Sequence, residues 1–261
     1  MNTLLQVTHA NCRLTSLPKI LIQTTLLSTL VLSACSDSNN TADVTSNTVN
    51  PDISDNQPAI GEVATQARYR LTFDAVWSVE THPLNFPGNP HFSGLVGAVH
   101  NEQVRFWEPA QIASDGIQLM AETGGKSTLL TEVDNAIDSG SALSAINGGG
   151  VGTSPGTTSI EFTVTRDYPE ITVTSMLAPS PDWFVGLHNY SLMDDGEFIE
   201  NTTIDLVLYD SGSDNGVRYT SANDATDPLS PIARVSSDTQ DSPFADGDPS
   251  VGSFTIVRLP E

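Results

Sequence analysis

Residues 68–79, RYRLTFDAVWSV, alternate strictly. Tyr69, Leu71, Phe73, Ala75 and Trp77 fall on one side, and Arg70, Thr72, Asp74 and Val76 on the other. A period of two with aromatic enrichment is the pattern of a strand with one face in a core. Shorter runs of the same kind recur at SIEFTVTRD (159–167), PEITVTSMLA (169–178), DWFVGLHNY (182–190), TTIDLVLYD (202–210) and SVGSFTIVRL (250–259), with a weaker one at GVRYTS (216–221). LVGAVHNE is a further short apolar run. Long irregular connections separate these runs, at THPLNFPGNPHFSG (81–94) and the glycine-rich NGGGVGTSPGTTS (147–159). Helical spacing occurs in EPAQIASDGIQLMAETG (108–124), broken near Gly116, and in KSTLLTEVDNAI (126–137). Many short strands, turn signals and few helices predict an all-β fold: one antiparallel β-sandwich over residues 68–259, with short helices in its connections.

The N-terminal quarter reads differently. Arg13 and Lys19 precede the apolar stretch ILIQTTLLSTLVLSA (20–34), too short and too polar for a comfortable membrane span, and this ends in Leu32-Ser33-Ala34-Cys35. That order resembles a bacterial lipoprotein signal, with cleavage before Cys35 and lipid on its thiol. It predicts residues 1–35 as a signal peptide and places the mature protein in the cell envelope, lipid-anchored, and in the outer membrane if the cell has two. Residues 36–67 are rich in Ser, Asn, Thr and Asp, cannot bury enough surface to offset chain entropy, and predict a flexible tether. The only cysteines are Cys12 and Cys35, so the sandwich must hold by packing, without disulfides.

The chain carries 32 Asp and Glu against 10 Lys and Arg, a net charge of −22. Such a surface repels phosphate backbones and anionic lipid heads, which excludes nucleic acid as a partner and confines membrane contact to the anchor. It attracts cations. YDSGSDNG (209–216) puts Asp210 and Asp214 on a glycine-rich loop at the end of one strand, and APSPDWFVGL (178–187) puts Asp182 at the start of another. Aspartates beside glycines are also ordinary turn residues. Three carboxylates gathered at one sandwich rim would repel one another unless a cation sat among them, and Ca²⁺, which takes six to eight hard oxygens in irregular geometry, suits an open loop rim better than Mg²⁺.

Several segments together resemble the spondin domain, the N-terminal adhesion module of F-spondin and mindin: YRLTFDAVWS with HPLNFP, HFSGLVGAVHN, FWEPAQIASDGIQLMAETG, APSPDWFVGL and YDSGSDNG. The resemblance implies an antiparallel β-sandwich that binds Ca²⁺ through Asp182, Asp210 and Asp214. Animal members carry paired cysteines; here Leu192 and Met193 stand near the position of a Leu-Cys. The tail after residue 221 does not clearly match.

Other motifs carry less. GGKST (124–128) lacks the first glycine of a phosphate loop, since Met120 stands there. His82, His91, His100 and His188 form no zinc spacing. Ser180 sits in no G-x-S-x-G elbow. Trp77, Trp107 and Trp183 read as core or rim anchors, with Trp183, beside Asp182, the candidate for stacking a ligand. These features point to a calcium-bound, lipid-anchored binding module, not an enzyme, that adheres to a protein or glycan partner at the cell surface. The alternative is a metal-assisted hydrolase using the acidic rim.

Overall fold

A computed structural model describes residues 64–235, 243–244 and 250–260. The predicted signal peptide with Cys35, and nearly all of the predicted tether, lie outside the described residues. The described part belongs to one compact unit spanning Ala59–Glu261.

The strands are β1 (Gln66–Ala75), β2 (His91–Phe92), β3 (Val96–His100), β4 (Ala142–Asn147), β5 (Gly156–Thr165), β6 (Glu170–Ala178), β7 (Trp183–Ser191), β8 (Met193–Asp194), β9 (Glu197–Phe198), β10 (Asn201–Asp205), β11 (Leu208–Asp210), β12 (Ala233–Arg234) and β13 (Gly252–Arg258). Helices α1 (Asp115–Thr123) and α2 (Ser127–Asp138) lie between β3 and β4. One sheet has four strands in the order β10-β13-β1-β5; the other runs β12-β11-β7-β6-β3-β4, with β2 also on β6; β8 and β9 form a small hairpin. All these pairings are antiparallel. The predicted β-sandwich with short helices is the observed fold.

β1 shows why. Ala67, Tyr69, Leu71, Phe73 and Ala75 are all buried, and the strand continues its pattern to the buried Trp77. These side chains meet Val99, Ile171, Val173, Leu177, Val185 and Leu187 from the larger sheet. Phe73 joins the layers: its ring meets Phe92 of β2 edge-on at 4.8 Å and Phe254 of β13 at 5.2 Å, contacts worth about 0.5–1.5 kcal/mol each beyond their buried area.

The helices add a third layer. Every residue of β3 is buried, and all of β6 but Glu170, because both faces of these strands are covered. Val99, Ile171, Val173 and Leu177 face the sandwich, whereas Val96, Ala98, Met176 and Ala178 face Ile117, Met120, Leu129 and Val133 of the helix pair. The expected break at Gly116 is a start instead. Ser114 caps α1 by accepting from the Ile117 N–H, and the Glu132 carboxylate of α2 accepts from Ser114 Oγ (2.8 Å) and Gly116 N (2.7 Å). A Cβ on Gly116 would collide with that carboxylate at 2.7 Å.

Three local expectations fail for tertiary reasons. TTIDLVLYD is not one strand: β10 pairs with β13 in the small sheet, and β11 with β7 in the large one. Ile204, Leu206 and Leu208 all point into the same core, so the alternation runs unbroken through the change of sheet. GVRYTS forms no strand; Tyr219 is buried there and its hydroxyl accepts from Trp77 Nε1 at 3.2 Å. β4, ALSAIN, carries no run of alternating large apolar residues and exists because β3 offers it an edge.

Gly97 lets β3 and β6 approach: a Cβ there would lie 1.8 Å from the Thr172 carbonyl oxygen. Gly97→Ala is expected to cost at least about 2–3 kcal/mol, lowering Tm by roughly 5–10 °C. Gly88→Ala, with nothing within 4 Å of the new Cβ, is expected to leave Tm unchanged in the same thermal scan.

Candidate functional site at the acidic rim

β7 begins at Trp183 and pairs with β11 so that Asp210 stands opposite Trp183. The loops before β7 and after β11 therefore emerge side by side, and Asp182 meets the 210–214 loop across the sequence gap. Asp182 is fully buried. Its Oδ2 accepts from Ser211 Oγ (2.9 Å), Ser213 N (2.8 Å), Ser213 Oγ (3.2 Å) and Asp214 N (3.1 Å), while its main-chain carbonyl accepts from Ser211 N at 3.2 Å. Its second oxygen, Oδ1, is buried and has no hydrogen-bond partner.

The other two acids organise the loop itself. Asp210 Oδ1 accepts from Gly212 N (2.8 Å). Asp214 Oδ1 accepts from Gly216 N (2.7 Å) and its Oδ2 from Asp224 N (3.1 Å). Gly212 is needed twice over: its φ is +79°, and a Cβ would sit 2.0 Å from the Ser230 carbonyl oxygen. Ser180 turns the chain into β7, accepting from Trp183 N at 3.1 Å. It has a structural job, not that of a nucleophile.

Burial pushes the Asp182 carboxyl above its ordinary range, opposed by the donors on Oδ2, Ser213 N foremost. Burial and then the charge of Asp182 push Asp210 from 3.8 to about 6; the Gly212 N–H and the Trp183 indole N–H oppose this, and Asp214 adds to it. The Trp183 N–H approaches Asp210 without closing a hydrogen bond of ordinary geometry. The rim thus holds negative charge that its own donors balance only in part.

The three acids expected to hold an ion converge, but not as a ready-made cage. Among the described residues, no group of three or more His, Cys, Asp or Glu side chains is arranged to hold a metal ion. Asp182, Asp210 and Asp214 do come to one rim, but much of their oxygen capacity is spent on the loop's own N–H and O–H groups. Trp183 is also corrected as a stacking residue. It is 2 % exposed, and its ring meets Tyr219 at 5.7 Å and Phe244 at 5.6 Å. The sequence reading missed Ser211 and Ser213, whose hydroxyls meet Asp182; their only signal is the alternation in DSGSD.

The histidines stand apart. His100 is buried between Thr172 Oγ1 (2.8 Å) and the Asn101 carbonyl (2.9 Å). His91 meets the Asn89 carbonyl, His82 meets Thr81 Oγ1, and His188 packs on Trp107 at 4.7 Å.

The Spondin_N family model matches residues 67–248. The chain belongs to the spondin family. Spondin-2 of Homo sapiens is 30% identical over 218 residues, which cover 78% of this chain and 66% of that protein. Spondin-1 of Gallus gallus is 35% identical over 203 residues, covering 73% of this chain and 24% of that protein. Spondin-1 of Homo sapiens is 34% identical over the same length. The chain thus spans just under two thirds of Spondin-2 and about a quarter of Spondin-1. These relatives are vertebrate proteins, and they overturn the reading of the chain as a bacterial lipoprotein held by a lipid anchor in a cell envelope or outer membrane. Among the described residues, no helix is long and apolar enough to cross a membrane. As a spondin module the chain is not an enzyme, and the metal-assisted hydrolase reading falls with that assignment.

The acidic rim generates a pH prediction. Between 3.8 and about 6 the folded chain holds the Asp210 proton more tightly than the unfolded one. Protonation of Asp210 therefore stabilises fully below pH ~4, and that contribution is lost as pH rises through about 6. In chelator, raising pH from 5 to 7.5 is expected to cost the wild type about 1.4 kcal/mol more than Asp210→Asn. Paired thermal melts of the two proteins at both pH values check this.

Proposed function

We propose that the chain is an adhesion module that binds a protein or glycan partner through a loop rim held in shape by Ca²⁺. The spondin match over most of the sandwich supports the adhesive role. One observation carries the calcium reading: the buried Asp182 Oδ1 has no partner, although four donors crowd its sister oxygen. A bare carboxylate oxygen removed from water costs several kcal/mol unless a proton or cation meets it. The rise of the Asp210 pKa, with Asp182 as its second cause, has the same remedy.

Asp182 and Asp210, with Asp214 on the same loop, would hold the ion. Side chains alone do not complete six to eight oxygens, so carbonyls of the loop and water would supply the rest. The ion's chemistry here is charge neutralisation. The residues around it do the shaping: Ser211 and Ser213 orient Asp182, Gly212 lets the loop pass under Ser230, and Tyr219 and Trp183 close the apolar side.

Free Ca²⁺ at about 100 times its Kd stabilises the fold by about 2.7 kcal/mol, a Tm rise of roughly 5–10 °C for a domain of this size. Asp210→Asn, which keeps the shape of the side chain, is expected to abolish most of that rise while still folding in chelator. A wild-type Tm indifferent to millimolar Ca²⁺ would remove the calcium reading. The adhesive reading is tested separately, by retention of the full chain on arrays of extracellular-matrix proteins and glycans with and without chelator. Absence of retention in both conditions would remove it.

A further inference from the structure

The smaller sheet ends in an open edge that is long and almost uncharged. β5 is bonded to β1 along its whole length, from Gln66↔Thr165 to Ala75↔Gly156. Among the described residues, no strand pairs with its other side. The remaining sheet ends are shorter: β10 spans five residues, β12 two and β4 six. Exposed edges are normally blunted by lysine, proline, inward-pointing charge or shortness. β5 has none of these. Thr157, Ser159 and Glu161 stand exposed on its outer face, while Ile160, Phe162 and Val164 point toward the core.

Its single charge is locally compensated. Glu161 accepts from Arg70 (2.7 Å) and Arg68 (3.2 Å) of β1, and these arginines hold its carboxyl below the usual range. In a chain of net charge −22, most surfaces repel a second copy. At this edge Arg68 and Arg70 balance Glu161 and the Asp74 carboxylate opposite Thr157, so that repulsion is locally offset.

We infer that β5 is a self-association edge, at which two copies of this chain pair antiparallel through β5 and join their four-stranded sheets into one of eight strands. Directly opposed residues in an antiparallel pair share a face, so only registers that match like faces are allowed. Centring the two-fold on Glu161 would oppose two carboxylates, which is destabilising. Centring it on Ile160 sets Ile160 against Ile160, Glu161 against Ser159, Phe162 against Thr158 and Thr163 against Thr157. That register keeps the charges apart and covers the half-buried Ile160 at the rim of the core. The proposal is independent of the calcium rim.

Sedimentation velocity of the full chain from about 1 to 200 μM tests it. The wild type is expected to shift from monomer to dimer across that range. Ser159→Glu, on the exposed face, sets a second carboxylate against Glu161 of the other copy and is expected to weaken association at least ~10-fold with Tm unchanged. A wild type that stays monomeric at the top of the range, or a dimer untouched by Ser159→Glu, overturns the inference. The register is read by cysteine pairing in a background carrying Cys12→Ser and Cys35→Ser. Ile160→Cys is expected to give a disulfide-linked dimer on mild oxidation and Thr163→Cys none; the reverse result overturns the proposed pairing.

Discussion

The rim of this sandwich depends on one buried carboxylate. Asp182 stands at the entry to β7, and its Oδ2 gathers the hydroxyls of Ser211 and Ser213 with the N–H groups of Ser213 and Asp214. A charge removed from water is tolerated only where donors replace the lost hydration. The 211–214 loop therefore folds around Asp182 or not at all, and in doing so it ties the start of β7 to the end of β11. Beside this polar knot, Trp183, Tyr219 and Phe244 meet edge to face, Trp77 meets Tyr219 at a tilt, and Phe86 packs on Trp77. The rim is thus a polar knot backed by an aromatic wall.

The rest of the fold holds without covalent help. No cysteine lies in the sandwich, and Leu192 is fully buried in the main core, with Met193 packed against it. Hydrophobic contact alone ties the chain there. The large sheet is covered by the small sheet on one face and by α1 and α2 on the other, so β3 and β6 contribute two sets of buried side chains each. This double burial offsets the absence of cross-links. It also explains the glycines at 97 and 186, where strands approach too closely for any Cβ.

The family assignment and the sandwich agree, yet the leader-like N-terminus pointed elsewhere. Its charge, apolar run and Cys35 form a local sequence pattern separate from the alternation that marks the strands, so nothing in the β-rich sequence could check it. The relatives supplied that check and removed the bacterial envelope from the account. The family segments, by contrast, are physically constrained. PSPDW holds the serine that turns the chain, the acid that organises the rim and the tryptophan of the aromatic wall. YDSGSDNG holds the donors that meet that acid and the glycine that lets them reach it.

Periodicity determined β1, β5 and β13, because each buries alternate side chains and a period of two is a local property of the chain; β6 and β7 were legible as β-rich runs between turn signals, although the fold buries both of their faces over most of their length. The convergence of Asp182 with the 210–214 loop was legible as well, since strand-end loops carry their residues to a common rim. Three things were decided only in three dimensions. The segment 202–210 divides between two sheets although its inward residues never miss a beat, since a core enclosed by both sheets accepts the same alternation from either. β4 has no periodic signature and takes its strand form from the edge of β3. The sequence named three acids as equal partners; the fold made Asp182 a buried organiser with one oxygen left bare and Asp214 a clasp for its own loop, because donor positions depend on how the chain closes and not on which residues it contains.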